Sequence, residues 1–187
     1  APVLELAPLG LDGTYVLELS SFQLDLMHTP CLDVALLLNI APDHLERHGT
    51  MERYVEIKAG IFSHQTSGDT AVIGLDDEFC SEISVNLRDA AATRAAPRVI
   101  PVSVLGAVSG GVFLEAGVLH DSIDSVAGGD GRAVADLAAI ETLPGAHNWQ
   151  NAAAAYAAVR ALGVGGAVAA RALATFPGLA HRQELLA

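Results

Sequence analysis

The chain has 187 residues, 51% of them apolar and only 17% charged, with a formal net charge of -12. That length and apolar content suit one domain with a single core and exclude a disordered chain, while the acidic balance, without a local basic patch, excludes nucleic acid and anionic membrane surfaces as expected partners. No apolar run is long enough to span a bilayer, no secretory leader is visible, and Cys31 and Cys80 have neither metal nor disulfide spacing, so a cytoplasmic protein with reduced thiols is expected.

The chain opens without a methionine, on residues that read as the interior of a domain, and a piece of a longer protein is expected. Residues 15–20 and 34–40 read as buried strands, separated by a short helix and a turn around Pro30 and Asp33. Thr50 then starts an amphipathic helix as its N-cap, with Tyr54, Ile57, Ile61 and Phe62 on one face. Residues 70–74 form the next strand, Asp76, Asp77 and Glu78 open a helix with acids at its positive end, and residues 99–103 form a further strand. This alternation predicts a parallel sheet with right-handed crossovers.

After Ser103 the texture changes. Residues 111–115 and 118–121 flank Ala116-Gly117 as a hairpin, and a glycine-rich loop at 128–131 precedes residues 133–137, which together predict a small antiparallel sheet. From His147 the chain is alanine-rich and helical to about Leu162, breaks at Gly163, Gly165 and Gly166, and resumes to about Thr175. The expected fold is therefore α/β: a mostly parallel sheet flanked by helices, with a small antiparallel sheet beside it.

Several polar groups sit where such a sheet builds a binding site, at the carboxyl ends of strands. Glu18 lies between Leu17 and Leu19, where a carboxylate either meets a hard cation such as Mg²⁺ or faces solvent at a sheet edge. Ser20, Ser21 and Gln23 follow it and suit either a ligand or the capping of the next helix. Asn39, Asp43, His44 and Arg47 cluster after the second strand; His44 suits a metal ligand, a phosphate partner, a general base or a helix start, and Asp43 suits an N-cap. Lys58 falls near the apolar face of its helix, and either snorkels to water or is converted by carbamylation into an anionic metal ligand. Asn148 and Asn151 stand at a helix N-terminus, suited to a nucleotide or to capping, and Arg182 suits a phosphate or solvent.

The order of these segments carries more than each alone. Glu18-Leu-Ser-Ser-Phe-Gln-Leu24, Leu38-Asn-Ile-Ala-Pro-Asp-His-Leu-Glu-Arg-His48, a helical Lys58, Gly145-Ala-His-Asn-Trp-Gln-Asn151 and Gly178-Leu-Ala-His-Arg182 together resemble the central ATP-binding domain of the Mur ligases, from about Tyr15 to Glu184. Ser20-Ser21-Phe22-Gln23 resembles the D-glutamate-adding branch in particular. The resemblance implies an ATP-dependent, amide-forming ligase of peptidoglycan precursor synthesis, acting on UDP-N-acetylmuramoyl-L-alanine and D-glutamate through an acyl phosphate. It implies Mg²⁺ held by Glu18, His44 and a carbamylated Lys58, ATP contacts from Asn148, Asn151 and Arg182, and Ser20 and Asn39 lining the muramoyl substrate's path.

The family's Gly-x-x-Gly-Lys-Ser/Thr phosphate loop does not occur in this sequence. Residues 1–187 are therefore expected to be a fragment of the central domain, without its phosphate loop or the flanking domains, inactive by itself and able to self-associate through an exposed sheet edge. Another Mur ligase, a folylpolyglutamate synthase-like ligase, or a non-catalytic binding module on the same fold are the competing readings.

Overall fold

The structure is a computed structural model that describes residues 5–10, 12–29, 31–92, 95–125 and 131–178. Its elements run α1 (Ser21–Leu26), β1 (Val34–Leu37), α2 (Leu45–His48), α3 (Met51–Ala59) with a 3₁₀ turn at Gly60–Phe62, β2 (Thr70–Gly74), α4 (Glu78–Ala90), β3 (Arg98–Ser103), β4 (Val112–Glu115), β5 (Val118–Asp121), β6 (Arg132–Asp136), α5 (Ala146–Ala161) and α6 (Gly166–Ala174). The strands form one six-stranded sheet in the order β1-β2-β3-β4-β5-β6. The pairs from β1 to β4 are parallel, and β4-β5 and β5-β6 are antiparallel.

Every residue of β2 is buried, as a central strand covered on both faces requires. Alternate residues face opposite layers. Ala71 and Ile73 join Ala35, Leu37, Tyr54, Cys80 and Ile83 in the core beneath α3 and α4. Val72, Ile100 and Val102 pack instead against Ala153, Ala154, Tyr156 and Ala157 of α5. Small side chains let α5 lie close to the sheet, and the Tyr156 hydroxyl donates to Asp121 Oδ2 at 2.8 Å, fastening the helix to β5. Thr50 caps α3, its Oγ1 accepting from Arg53 N at 3.2 Å, and Asp77 caps α4 through Cys80 N at 2.9 Å.

Three expectations change. Residues 15–20 belong to no strand: they are exposed or half-buried, and Val16 is 93% exposed. A strand exists only through a hydrogen-bonded neighbour, and among the described residues this apolar run has none. The small antiparallel sheet is not separate, because β4 pairs in parallel with β3 and the hairpin extends the same sheet. Asp43 does not cap α2. The N-cap position is His44, in the left-handed region at φ 52° with no side-chain cap, and Asp43 Oδ1 accepts the His44 N–H at 2.8 Å. Pro30, the 128–130 portion of the expected loop and residues 179–187 lie outside the described residues.

Candidate functional site

Parallel strands pointing the same way bring the ends of β1, β2 and β3 to one edge of the sheet, and the first turns of α5 lie against that edge. Gln150 joins them. Its Nε2 donates to Asp76 Oδ2 at 3.2 Å, beyond the end of β2, and at 3.4 Å to the Leu38 carbonyl that follows β1. Its Oε1 accepts from Asn39 Nδ2 at 3.2 Å. Asp76 is itself held by donors from the end of β3: Ser103 Oγ at 2.6 Å and Val104 N at 3.0 Å. Gly74 allows the close approach, since a β-carbon there would collide with the Leu38 carbonyl. Asp77 closes the neighbouring gap by accepting the Ile40 N–H at 3.2 Å.

A second cluster joins α1, α2 and α3. Ser20 and Gln23 form a capping box: Ser20 Oγ accepts from Gln23 N at 3.3 Å, and Gln23 Oε1 accepts from Ser20 N at 2.9 Å. That leaves Ser21 on the inner side, where its Oγ lies 3.0 Å from His48 Nε2, both residues buried. The rings of His44 and His48 both contact Phe22, with centroids 5.1 and 5.5 Å away, and His48 stacks on Tyr54 at 5.4 Å. Lys58 Nζ sits 5.4 Å from the Tyr54 ring centre. Burial, and secondarily the Asp43 carboxylate, raises the Tyr54 phenol above its ordinary pKa. Asp25, at the end of α1, pairs with Arg53 at 3.2 Å and Arg47 at 3.6 Å.

The expected site residues thus fall into separate groups. Asn39 meets the first turns of α5, where Asn148 and Asn151 also lie; Asn148 Nδ2 donates to the Pro144 carbonyl at 2.8 Å, and Asn151 is exposed. His44 and Lys58 are linked only indirectly, through Phe22, His48 and Tyr54. Glu18 stands exposed in the unpaired segment, the Ser20 hydroxyl is engaged by its own helix cap, and Arg182 lies outside the described residues. These donors do not fit a Mg²⁺ site as they stand. Among the described residues no three His, Cys, Asp or Glu side chains group around a metal position. His44 faces the carboxylates of Asp43 and Glu46 at 3.4 and 3.7 Å, and Lys58 faces an aromatic ring. A cleft of about 650 Å³ opens elsewhere, between β6 and α6 beside Ala135, Ile140, Arg171 and Phe176, and among the described residues no expected site residue lines it.

Sequence reasoning missed Gln150, Asp76 as a hub, and His48 as the partner of Ser21. A signal for Gln150 exists: it shares the helical face of Ala153, Ala154 and Ala157, three, four and seven residues on, so a polar side chain occupies a core position of α5. The partners of Asp76 and His48 carry no such local mark.

Comparison with known proteins adds the remaining observations. The family profile of the Mur ligase middle domain matches residues 12–159. A UDP-N-acetylmuramoylalanine–D-glutamate ligase of Phenylobacterium zucineum is 51% identical over 185 residues, covering 99% of this chain and 38% of the relative. One of the same name from Rhodospirillum rubrum is 50% identical over 186 residues, covering 100% of this chain and 37% of the relative. The chain therefore spans well under half the length of the curated relatives it matches. Among solved structures, MurF from Acinetobacter baumannii superposes with a TM-score of 0.54 at 25% identity, over 79% of this chain and 29% of that one.

Proposed function

The chain belongs to the Mur ligase family, and from that premise we propose that it serves as the nucleotide- and substrate-positioning middle part of an ATP-dependent ligase joining D-glutamate to UDP-N-acetylmuramoyl-L-alanine. The observation that carries this reading is the near-complete coverage of the chain, at 50–51% identity, by relatives bearing that ligase's name. The sheet geometry supports it: Asn39, Asp76, Ser103 and the first turns of α5 converge at strand carboxyl ends, where open α/β sheets bind ligands.

In this reading the ligase works in the cytoplasm and forms the amide through an acyl phosphate made at the expense of ATP. Asn148, Asn151 and Arg182 meet ATP, and Ser20 and Asn39 line the muramoyl substrate's path. Glu18, His44 and Lys58, the last as a carbamate, are the residues expected to hold Mg²⁺. That role rests on the family alone, because Glu18 would first have to leave its exposed position and pair into the sheet. Residues 1–187 are read as a central-domain fragment that does not turn over ATP by itself and that is able to self-associate through an exposed sheet edge. In keeping with the limits of the fold, no helix among the described residues is long and apolar enough to cross a membrane.

The test is phosphate release by the full-length protein with Mg-ATP, UDP-N-acetylmuramoyl-L-alanine and a panel of D-glutamate, L-lysine and meso-diaminopimelate. Release with D-glutamate only is expected. Release with another amino acid, or with none, overturns the substrate assignment.

A further inference from the structure

We infer that Asp76 and Gln150 form a polarity relay that fixes the orientation of the Asn39 amide, so that its Oδ1 is presented to the substrate as an acceptor and the group that meets Oδ1 is a donor, an amide N–H or a hydroxyl. This rests on the reading of Asn39 as lining the muramoyl substrate's path.

An amide side chain has one accepting end and one donating end, and which end faces outward follows from its neighbours. The relay starts at Asp76. Its carboxylate receives Ser103 Oγ on one oxygen and Val104 N on the other, while Ser103 Oγ in turn receives the N–H groups of Leu105 at 3.1 Å and Gly106 at 3.2 Å. The Ser103 hydroxyl proton is thus directed at Asp76, and Asp76 is left as an acceptor. Gln150 lies against Asp76 Oδ2 and the Leu38 carbonyl, two groups that only accept, so its NH₂ must point there. Its Oε1 then faces Asn39, which commits the Asn39 NH₂ to Gln150. One N–H of that group is thereby used and the other stays open, while Asn39 Oδ1 has no hydrogen-bond partner among the described residues and belongs to an exposed side chain.

Gln150 is 7% exposed, so reversing its amide would bury an oxygen against two others and leave a donor facing a donor. The arrangement therefore holds before any ligand arrives. A ligand phosphate oxygen placed on Asn39 Oδ1 would meet another oxygen, whereas the muramoyl-alanine portion carries amide N–H groups and hydroxyls that satisfy it. Gln150 and Asp76 are positioning residues in this scheme, acting through Asn39.

The experiment uses the full-length ligase containing this chain, with thermal melting to confirm folding of each variant, and separate KM values for UDP-N-acetylmuramoyl-L-alanine, ATP and D-glutamate. Gln150→Leu removes the relay at similar volume. It is expected to raise the muramoyl substrate's KM about fivefold, the effect of one hydrogen bond, with kcat within about twofold and the other two KM values unchanged. Asn39→Ala gives at least the same rise, and the double variant is no worse than Asn39→Ala, because both act through one contact. Additive losses, a rise in the ATP KM alone, or an even loss across kcat and every KM overturns the relay. Should Gln150→Leu fail to fold, Asn39→Ala decides the matter: a rise in the muramoyl substrate's KM with the ATP KM unchanged is expected, and an unchanged muramoyl KM or a rise confined to ATP overturns the inference. An unsubstituted enzyme without D-glutamate-dependent phosphate release defeats the functional reading itself, whereas an active enzyme indifferent to Gln150→Leu defeats only the relay.

Discussion

Lys58 holds its ammonium 5.4 Å from the centre of the Tyr54 ring, one helical turn earlier on the same face of α3. The same ring is also stacked by His48, at 5.4 Å with an interplanar angle of 28°. Tyr54 is thus the piece through which α2 and Lys58 are held together, and it is 4% exposed. Tyr54→Phe keeps the ring and is expected to change stability by less than about 1 kcal/mol, whereas Tyr54→Leu loses ring stacking and the cation contact and costs about 2 kcal/mol. Urea denaturation of both variants checks the difference; equal costs would remove the ring from the argument.

Alkali should destabilise the fold through two buried acids. Burial first, then the Asp77 carboxylate, raises the Cys80 thiol well above its ordinary pKa, and burial followed by the hydrogen bond to Asp121 does the same for the Tyr156 phenol. A raised folded pKa means the native state keeps a proton that the unfolded state releases. Stability from these groups is therefore intact below pH about 8 and falls as pH rises through the unfolded values near 8.5 for thiol and 10 for phenol. Melting temperature should decline from pH 8 to 10.5, and the decline above pH 10 should be shallower in Tyr156→Phe. A variant with the same slope as the parent would show that Tyr156 does not contribute.

Gly74 lies where β2 passes the end of β1, and a β-carbon there would strike the Leu38 carbonyl, which is backbone and cannot swing aside. Gly74→Ala is expected to cost more than about 2 kcal/mol and to disturb the Leu38–Gln150 contact as well. Chemical denaturation gives the first, and the KM for the muramoyl substrate gives the second. A variant of parental stability would mean that the β1–β2 spacing relaxes freely.

Ala116 occupies the first central position of the β4–β5 turn at φ 49°, followed by Gly117 at φ 83°. Both signs are positive, as a type I′ hairpin requires, and alanine is a poor residue for the first position. Ala116→Asn should stabilise the protein by about 0.5 to 1 kcal/mol, read as a rise in melting temperature. A fall would mean that the methyl group makes a contact worth more than the strain.

The parts of the fold legible in the sequence were those whose cause is local. The period of Tyr54, Ile57 and Phe62 placed α3, Thr50 and Asp77 marked their helix starts, and Ala116-Gly117 marked the hairpin. Residues 15–20 have the composition of a strand, yet pairing is a property of two segments, and composition reports on one. The same limit hid the site. Asn39 was visible as a polar residue after a strand, but its partner Gln150 is 111 residues away, and Gln150 reaches Asp76 across 74. Arg182 was equally legible as a motif, and its place lies beyond the described residues.

The six strands stand in the sheet in the order in which they occur in the chain. Each new strand can therefore dock on the one just completed, through helical crossovers between β1, β2 and β3 and a tight turn between β4 and β5. α5 is different, since it returns across β1, β2, β3 and β4 after all of them. The crevice between Asn39 and Gln150 is thus expected to be joined last, after the main barrier, when the longest closure is made. Folding kinetics should show this ordering: substitutions in β2 and β3 would slow folding, while Gln150→Leu would mainly speed unfolding.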